Sequence, residues 1–377
     1  MSLGHVGLNL VFLVPGETGG MEPYARDLIP ALRAERPDLR LTAFVNLEAA
    51  ESGGPWGEEI PAVTVPVRAR RRSQWVRGEQ QLLPCLAARA GVDVLHSLGN
   101  TGPAWGGFRR VLTVHDLIHR VHPEAHFGHA AVAMRWLVLL AIRRSDRVIV
   151  PSEATRADLE RFVKAAGPID VIPQGVAPPP PVSPGAVAEC GRRLDLGDRP
   201  LALAASAQRP HKNLPRLLEA MATIPAERRP VLVIPGYPTP HGAELRRQAE
   251  ALGLAADVRF PGWVPDEELE ALFAIASVFV FPSLYEGFGL PVLEAMVRGV
   301  PVACSDRASL PEVAGPAARF FDPERPEEIA AAIEALLGDR DEADRLRAAG
   351  YEQAARFTSS ARAKATIASY ERAVGDP

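Results

Sequence analysis

Lysine is almost absent from this chain of 377 residues. Only three of the 42 basic residues are lysine, namely Lys164, Lys212 and Lys364, and the rest are arginine. Together with 36 prolines and many alanines, this composition is typical of a high-GC bacterial genome. Because a lysine presents a compact ammonium where this sequence otherwise uses a planar guanidinium, each of the three is a candidate for a specific role.

Cysteine, net charge and long apolar runs are also scarce. The three cysteines, Cys85, Cys190 and Cys304, are far apart and form no C-x-x-C, which excludes a disulfide scaffold and a cysteine zinc site. A net charge of −4 argues against a general nucleic-acid binder. The longest apolar run, residues 136–142, is far short of the ~20 residues of a membrane span. No signal peptide is visible, so a soluble, cytoplasmic protein is expected.

The remaining pattern alternates short β-branched runs with longer helical ones. A proline-rich segment, residues 170–185, interrupts this alternation and predicts an extended connector. Strand and helix alternate on both sides of it, which predicts two parallel-sheet α/β domains. The predicted strands are residues 6–14, 41–46, 62–67, 92–97, 110–116, 147–152, 201–206, 231–236, 257–262, 278–283 and 301–306. Ligands of such sheets bind at the carboxyl ends of the strands, so a cleft between the two domains is the expected site.

The segment 278–306, VFVFPSLYEGFGLPVLEAMVRGVPVACSD, carries the most specific chemistry. Its first strand leads into a glycine-containing loop and then a helix, and the exposed amides at such a helix start favour phosphate. Glu286 lies in the loop and Glu294 in the first turns of the helix. Carboxylates accept hydrogen bonds from sugar hydroxyls, so the pattern predicts a sugar joined to phosphate. The alternative is a solvated loop acid followed by a glutamate that complements the helix dipole.

The motif EGFGLPVLEAM resembles the E-x7-E signature of the retaining glycosyltransferases of family 4 (GT4), which have the GT-B fold. Further similarities extend in the family's order along nearly the whole chain: the glycine loop near residue 19, TVHD at 113–116, PSE at 151–153, VIPQGV at 171–176, HKNLPRLLEA at 211–220, PGWVPDEELEALFAIA at 261–276 and LPEVAG at 310–315. The resemblance implies two Rossmann-like domains that face a central cleft. It places an acceptor-side domain at 1–176, a nucleotide-sugar domain at 177–360, and a helix at 361–377 that crosses back to the first domain.

The resemblance also implies roles for residues of the second domain. Glu294 would bind the ribose and Glu286 the donor sugar, while Lys212 would contact the diphosphate. The family's basic residue before this lysine is absent, since Ala205 and Ser206 stand in its place, and Arg209 is the expected substitute. Backbone groups would contact the rest of the donor: Gly287, Phe288, Gly289 and Leu290 at the sugar and diphosphate, and Trp263 and Val264 at the base.

In the first domain the resemblance points to Gly19, Gly20 and His115. The two glycines match a loop that approaches the donor phosphate, and PGETGG is not a dinucleotide-binding G-x-G-x-x-G. His115 matches a histidine that contacts the donor sugar near the anomeric carbon, and catalysis is assigned to His115 and Glu286. A neutral imidazole suits that position because it can donate or accept a hydrogen bond.

The implied reaction is transfer of a hexosyl group from a nucleoside diphosphate sugar to an acceptor hydroxyl with retained configuration. No cofactor and no metal are expected, because Lys212, Arg209 and helix amides would stabilise the leaving diphosphate. The acidic D-x-D of Asp339 and Asp341 is interpreted as surface. GDP-mannose is the preferred donor, since the motifs resemble the mannosyltransferase-like branch, and a UDP-sugar is the alternative. A glycan or lipid-linked acceptor is expected.

Three other interpretations are open. The first is a non-catalytic nucleotide-sugar-binding or assembly subunit on the same fold, although such a subunit has no reason to keep Glu286, Glu294, Lys212 and His115. Five histidines between 115 and 129 include pairs with the i,i+4 spacing of a zinc site, which Pro123 interrupts. The arginine-rich stretch from Arg68 to Arg77 is either a solvated face, an acceptor-phosphate site or a peripheral contact with anionic lipid.

Overall fold

The computed structural model describes residues 3–121, 129–165, 167–237 and 239–375. The chain divides into two compact units, of which unit 1 comprises Met1–Gly175 with Phe357–Pro377 and unit 2 comprises Val176–Arg356. Each unit contains one parallel β-sheet with helices in its connections. This arrangement confirms the α/β class predicted from the sequence.

The sheet of unit 1 has seven parallel strands in the order β3-β2-β1-β4-β5-β6-β7. The strands are β1 His5–Leu10, β2 Arg40–Val45, β3 Ala62–Thr64, β4 Val94–Ser97, β5 Arg109–Thr113, β6 Arg147–Val150 and β7 Ile169–Val171. Strands β1, β4 and β6 are buried along their whole length. Their nearly continuous apolar runs are typical of parallel strands that are covered on both faces.

The helices that precede residue 170 belong to unit 1. They are α1 Met21–Glu35, α2 Leu47–Ser52, α3 Pro55–Glu58, α4 Arg72–Arg77, α5 Leu83–Ala90, α6 Ile118–Val121, α7 His129–Arg144 and α8 Glu153–Phe162. A π-helical turn, Gly78–Leu82, joins α4 to α5. Helix α1 buries Tyr24, Leu28 and Leu32, whose i,i+4 spacing gives it one apolar face.

The sheet of unit 2 has six parallel strands in the order β10-β9-β8-β11-β12-β13. The strands are β8 Leu201–Leu203, β9 Val231–Pro235, β10 Val258–Gly262, β11 Val278–Phe281, β12 Val302–Ser305 and β13 Ala318–Phe321. The chain order reverses between β8 and β11. In open α/β sheets ligands bind outside the carboxyl ends of the strands at such a reversal.

Eight helices of unit 2 connect or flank these strands within the described residues. They are α9 Pro184–Arg193, α10 Leu214–Thr223, α11 Pro240–Ala251, α12 Asp266–Ile275, α13 Leu290–Val297, α14 Leu310–Ala314, α15 Pro326–Gly338 and α16 Arg340–Ala354. Two short 3-10 turns, Pro210–Lys212 and Gly315–Ala317, precede α10 and follow α14.

The last helix, α17 Ser359–Gly375, belongs to unit 1. Tyr370 is fully buried in the core that also contains Val6 and Leu8 of β1. The Arg362 guanidinium pairs with the Asp27 carboxylate of α1 at 2.5 Å. The resemblance implies a helix at 361–377, and the structure has one at Ser359–Gly375 that packs against α1. Across the described part of the chain, no helix combines the length and apolarity needed to span a membrane.

The sequence pattern does not predict two short strands, β7 and β13. The predicted connector covers residues 170–185. Strand β7 overlaps the start of this connector and helix α9 overlaps its end, so only residues 172–183 lack a regular element. Both strands lie at a sheet edge, where β7 pairs with β6 and β13 with β12. Such short strands are defined by pairing with a neighbouring strand. Three or four residues are too few to show the hydrophobic periodicity from which a strand is predicted.

Glu79, in the π-helical turn of unit 1, has a buried carboxylate. Its Oε1 accepts hydrogen bonds from Asn9 Nδ2 at 3.2 Å and Thr101 Oγ1 at 3.0 Å, and Oε2 accepts one from Gln80 Nε2 at 3.3 Å. Burial raises the pKa of Glu79 to about 7, and the hydrogen bonds oppose that rise. The carboxyl therefore titrates near neutral pH.

Candidate functional site

Lys212 and Glu286 meet at the carboxyl ends of β8 and β11. Lys212 Nζ lies 2.6 Å from Glu286 Oε1, and the two side chains are only 14% and 13% exposed. The ammonium also lies 5.1 Å from the centroid of the Phe281 ring, the last residue of β11. One of the three lysines is thus placed, with the loop carboxylate, at the reversal point of the sheet. Both residues are predicted from the sequence to bind the donor substrate, and the structure brings them into contact with each other.

Asn213 holds the loops that carry this pair. Its backbone is left-handed, with φ of +56°, and its Nδ2 donates to the carbonyls of Pro282 at 3.1 Å and Pro323 at 2.6 Å. The N–H of Leu284 donates to the carbonyl of His211 at 2.8 Å. The loop after β8 is therefore attached to the loop after β11 on both sides of Lys212. Sequence reasoning missed Asn213, because its partners are distant in the chain.

The glycine loop enters α13 through a tight turn. Gly289 has φ of +102°, and a Cβ there would lie 2.5 Å from Cδ2 of Leu310. Ser309 Oγ hydrogen-bonds the carbonyls of Glu286 at 3.0 Å and Phe288 at 2.7 Å. Ser309 is a second residue that the sequence analysis did not identify. Its two contacts fix the course of the predicted Gly287–Leu290 segment.

Gly287, Phe288 and Gly289 are buried and Leu290 is half-buried at the start of α13. The N-cap residue, Gly289, has no side chain to cap this helix. The first-turn amides of a helix carry a partial positive charge, which favours an anionic ligand. The segment from Gly287 to Leu290, whose backbone is predicted to contact the donor, therefore lies next to the Lys212–Glu286 pair, because Glu286 begins the same loop.

Glu294 is half-buried in α13. Burial raises the pKa of its carboxyl, Arg298 opposes the rise, and the Glu270 carboxylate adds to it. The Arg298 guanidinium binds Glu270, with Nε 2.7 Å from Oε2, and donates from Nη1 to the backbone carbonyl of Glu294. Within the described ranges no residue donates a hydrogen bond to the Glu294 carboxylate. Its oxygens are therefore available to accept from ligand hydroxyls.

Arg209 lies on the loop after β8, and Trp263 and Val264 lie on the loop after β10, at the same edge of the sheet. Arg209 is exposed, and its guanidinium forms no ion pair with any residue in the described ranges. Trp263 follows β10 and is 56% exposed, whereas Val264 is buried. The structure therefore leaves the Arg209 and Trp263 side chains open to a ligand, while Val264 holds its loop on the core.

His115 lies in unit 1, two residues after β5. Its Nε2 donates to the carbonyl of Leu98 at 2.8 Å, its backbone N–H donates to Asn100 Oδ1 at 2.8 Å, and its ring meets Tyr24 edge-on with centroids 4.7 Å apart. Burial lowers the pKa of His115, and the bond to Leu98 opposes that effect. Because a carbonyl only accepts, the proton of the neutral ring is on Nε2. Nδ1 is left as an acceptor.

Gly19 and Gly20 lie in unit 1 immediately before α1. Both are exposed, Gly19 has φ of +63°, and a Cβ at either position would meet no atom within 4 Å. Packing therefore does not require glycine at Gly20. The exposed backbone is consistent with close approach of a ligand at this helix start.

The competing patterns fall elsewhere. His122 and His126 lie outside the described residues, and within the described ones no three His, Cys, Asp or Glu side chains form a group able to hold a metal. Asp339 caps α16 by accepting a hydrogen bond from the Glu342 amide at 3.0 Å. In the arginine-rich stretch, Arg68 pairs with Glu51 and Arg70 with Glu17. Contact of this stretch with lipid stays a prediction.

Comparison with known proteins identifies the family. Residues 18–178 match the family described as Glycosyltransferase Family 4, and residues 192–353 match Glycosyl transferases group 1. The O-antigen chain mannosyltransferase B of Escherichia coli is 33% identical over 275 residues, which cover 70% of each chain. The MMP alpha-(1->4)-mannosyltransferase of Mycolicibacterium hassiacum is 33% identical over 309 residues, 77% of this chain and 73% of the relative.

The fold is shared with solved structures. Anabaena Alr3699/HepE in complex with UDP-glucose superposes with a TM-score of 0.76 at 19% identity, and the match covers 97% of this chain and 99% of that one. Two Rossmann-like sheets, family matches along most of the sequence and mannosyltransferase relatives all agree. The chain therefore belongs to glycosyltransferase family 4, in its mannosyltransferase-like branch, and has the GT-B fold.

Proposed function

We propose that this glycosyltransferase moves a mannosyl group from GDP-mannose to a hydroxyl group of a glycan or lipid-linked acceptor, with retention of configuration and without a metal. The observation that carries the proposal is the Lys212–Glu286 pair beside the uncapped start of α13. A cation and helix amides favour a diphosphate, and an adjacent carboxylate favours the hydroxyls of a sugar. A nucleoside diphosphate sugar combines both chemical groups.

The proposed reaction breaks the bond between the anomeric carbon and the diphosphate oxygen. A bond from the same carbon to the acceptor oxygen forms on the same face of the sugar, and the acceptor proton passes to the leaving diphosphate. Negative charge grows on that diphosphate as its bond breaks. Lys212, Arg209 and the amides at the start of α13 would stabilise this charge, which is the usual source of rate enhancement in such reactions.

Two carboxyl groups would then position the donor. Glu286 would accept from hydroxyls of the mannosyl group, and Glu294, whose carboxylate receives no hydrogen bond from the described residues, would accept from the ribose. His115 has Nδ1 as its acceptor atom, since Nε2 donates to Leu98. A hydroxyl of the donor sugar is the proposed partner of Nδ1.

The choice of GDP-mannose rests on the mannosyltransferase relatives. A UDP-sugar is the second candidate, because Alr3699/HepE was solved with UDP-glucose. A thermal-shift panel of GDP, UDP, ADP, CMP and dTDP without added metal separates the two candidates. A nucleotide present at 100 times its Kd should stabilise the protein by about 2.7 kcal/mol.

Glu294→Ala is the matched variant for this panel. Stabilisation of the wild type by GDP, lost in the variant, supports both the guanine donor and the ribose contact. Stabilisation by UDP alone would mean that the donor is a UDP-sugar, and the proposed type of reaction would be unchanged. Incubation with GDP-mannose and a mannoside acceptor, with NMR of the new anomeric proton, then tests transfer and retention.

A non-catalytic subunit on the same fold predicts a different result. Such a subunit would bind the nucleotide sugar in the panel, yet release no GDP from GDP-mannose with any acceptor tested. Sensitivity of turnover to EDTA would contradict the metal-free part of the proposal, since Lys212 and Arg209 would then be insufficient to stabilise the leaving group.

A further inference from the structure

The loop after β4 holds His115 by two hydrogen bonds. The backbone N–H donates to Asn100 Oδ1 and the ring Nε2 donates to the Leu98 carbonyl, each at 2.8 Å. The first bond fixes the main chain, and the second restrains one corner of the ring. A hydrogen bond at Nε2 resists rotation of the ring about the line from Cβ to Nε2 only weakly. Such rotation moves Nδ1, so the position of Nδ1 depends on what packs against the ring.

Tyr24 of α1 packs against the ring of His115. The two ring centroids are 4.7 Å apart and the planes are nearly perpendicular, at 86°. Edge-to-face contact is one of the favoured arrangements of aromatic rings. Tyr24 is buried, so its own ring has little room to move. This contact therefore opposes the rotation that the hydrogen bond at Nε2 permits.

Helix α17 holds the Tyr24 ring from one face. The guanidinium carbon of Arg362 lies 4.8 Å from the centroid of that ring, within the distance of about 6 Å for a cation–π contact. Arg362 is buried and pairs with Asp27, which also accepts a hydrogen bond from Ser359 Oγ at 2.7 Å. Asp27 lies on α1, as Tyr24 does. The start of α17 is thus attached to the helix that carries Tyr24 and to the ring itself.

A chain of buried hydrogen bonds reaches the Tyr24 hydroxyl from the other end of α17. The hydroxyls of Tyr24 and Thr113 are 3.3 Å apart, Thr113 Oγ1 is 2.7 Å from His96 Nε2, and His96 Nδ1 is 2.7 Å from the Tyr370 hydroxyl. Burial lowers the pKa of His96 to about 3, with a smaller contribution from His115. His96 is therefore neutral, and one of its nitrogens donates while the other accepts.

Buried polar groups are costly unless they are paired, and a fully paired network fixes side chains in one arrangement. We propose that Tyr24 is a positioning residue, which holds the imidazole of His115 in the orientation that contacts the donor sugar. The inference rests on the proposed function, in which Nδ1 of His115 accepts from a hydroxyl of that sugar. Neither the sequence motifs nor the relatives assign Tyr24 a role, and the apolar face of α1 identifies it only as a core residue.

The first test removes the ring with Tyr24→Leu. We expect kcat for transfer from GDP-mannose to a mannoside acceptor to fall about 10- to 100-fold, since misplacement by about 1 Å has an effect of this size. GDP lacks the mannosyl group, so its Kd should be unchanged. Tyr24→Phe keeps the ring and loses only a long hydroxyl contact, so its kcat should be only about 2-fold lower. If Tyr24→Leu has no native urea transition, Tyr24→Met replaces it with the same expectation.

A double-mutant cycle shows whether Tyr24 acts through His115. His115→Ala removes the ring that Tyr24 holds, so adding Tyr24→Leu to it should lower kcat no further. Phe44→Leu is the matched control, because it also removes a fully buried ring from unit 1 but from a different cluster of the core. It should lower the urea midpoint and leave kcat unchanged.

Nuclear magnetic resonance of protein labelled with nitrogen-15 at histidine gives a readout that needs no turnover. The two nitrogens of a neutral imidazole have different shifts, which report where the proton lies. His115→Ala identifies the His115 signals. We expect one form protonated at Nε2 in the wild type and in Phe44→Leu, and signals averaged by exchange in Tyr24→Leu.

The outcomes separate this inference from the proposed function. If the wild type transfers no mannose, or if His115→Ala is as fast as the wild type, the proposed function or its His115 contact fails, and the resonance comparison still decides the positioning. If only Tyr24→Leu is as fast as the wild type, the inference is wrong while the function stands. Equal slowing by Tyr24→Leu with and without His115, or unchanged His115 signals in Tyr24→Leu, would also overturn the inference.

Discussion

Replacing Glu286 by glutamine should strengthen the binding of a nucleoside diphosphate while it slows sugar transfer. The Lys212 ammonium pairs with the Glu286 carboxylate at 2.6 Å. A diphosphate must compete with that carboxylate for the lysine. Glutamine keeps the size of the side chain and an acceptor oxygen, but it removes the negative charge, so the lysine becomes available to the phosphate.

The size of the effect follows from the two hydrogen bonds. A bond to a charged partner contributes about 1.5–3 kcal/mol and a neutral one about 0.5–1.5 kcal/mol, so the variant lowers the cost of releasing Lys212 by roughly 1 kcal/mol. GDP or UDP binding should therefore become about 5- to 10-fold tighter. With GDP-mannose the uncharged amide oxygen is a weaker acceptor for the sugar hydroxyls than the carboxylate, which should lower kcat/KM about 10- to 100-fold.

Isothermal titration with GDP and a coupled assay of GDP release measure the two effects. Glu294→Gln is the matched control, because it removes the same charge from the same loop and helix but is not paired with Lys212. It should weaken GDP binding through the lost ribose contact. Weaker GDP binding by Glu286→Gln, or tighter binding by both variants, would refute the competition between Glu286 and the phosphate.

Three further predictions concern stability and accessibility. Burial raises the folded-state pKa of Glu79 from 4.5 to about 7, so the folded chain binds an extra proton between these values and its free energy of unfolding falls as pH rises through that window. Glu79→Gln mimics the protonated carboxyl, so its free energy of unfolding should lack this fall. In urea denaturation, the free energy of unfolding of the variant minus that of the wild type should be about 3 kcal/mol larger at pH 8 than near pH 4.5. Asn213→Gly loses two hydrogen bonds but adopts the left-handed backbone without strain. Asn213→Ala loses the same bonds and adds about 1 kcal/mol of backbone strain. The urea midpoint should therefore be highest for the wild type, lower for Asn213→Gly and lowest for Asn213→Ala. A thiol reagent such as DTNB should modify Cys85 alone in the native protein, because Cys190 and Cys304 are buried, and all three cysteines after denaturation.

The sequence predicts most of the sheet because its strands are apolar runs between helical segments. It does not predict β7 and β13, whose three or four residues are defined by edge pairing. It also predicts Lys212 and Glu286 individually as ligands. Their direct contact depends on the order β8-β11 in the sheet, since the two residues are 74 positions apart in the chain.

The supporting residues of the site were not predicted for a related reason. Asn213 contacts Pro282 and Pro323, and Ser309 contacts Glu286 and Phe288, all from loops separated in sequence. Polar residues in loops are common, and a single sequence cannot tell which of them bind distant backbone groups. These contacts are a property of the tertiary structure rather than of a local pattern.

The position of α17 has a consequence for synthesis of the chain on the ribosome. Domains usually fold in the order in which they emerge, the N-terminal one first. Here the chain leaves unit 1 at Gly175 and returns to it at Phe357, and α17 contributes Ala363, Ile367 and Tyr370 to the core around β1. All of unit 2 is therefore translated before unit 1 can close its core. A nascent chain halted after Arg356 would carry the whole of unit 2 beside an open, incomplete unit 1.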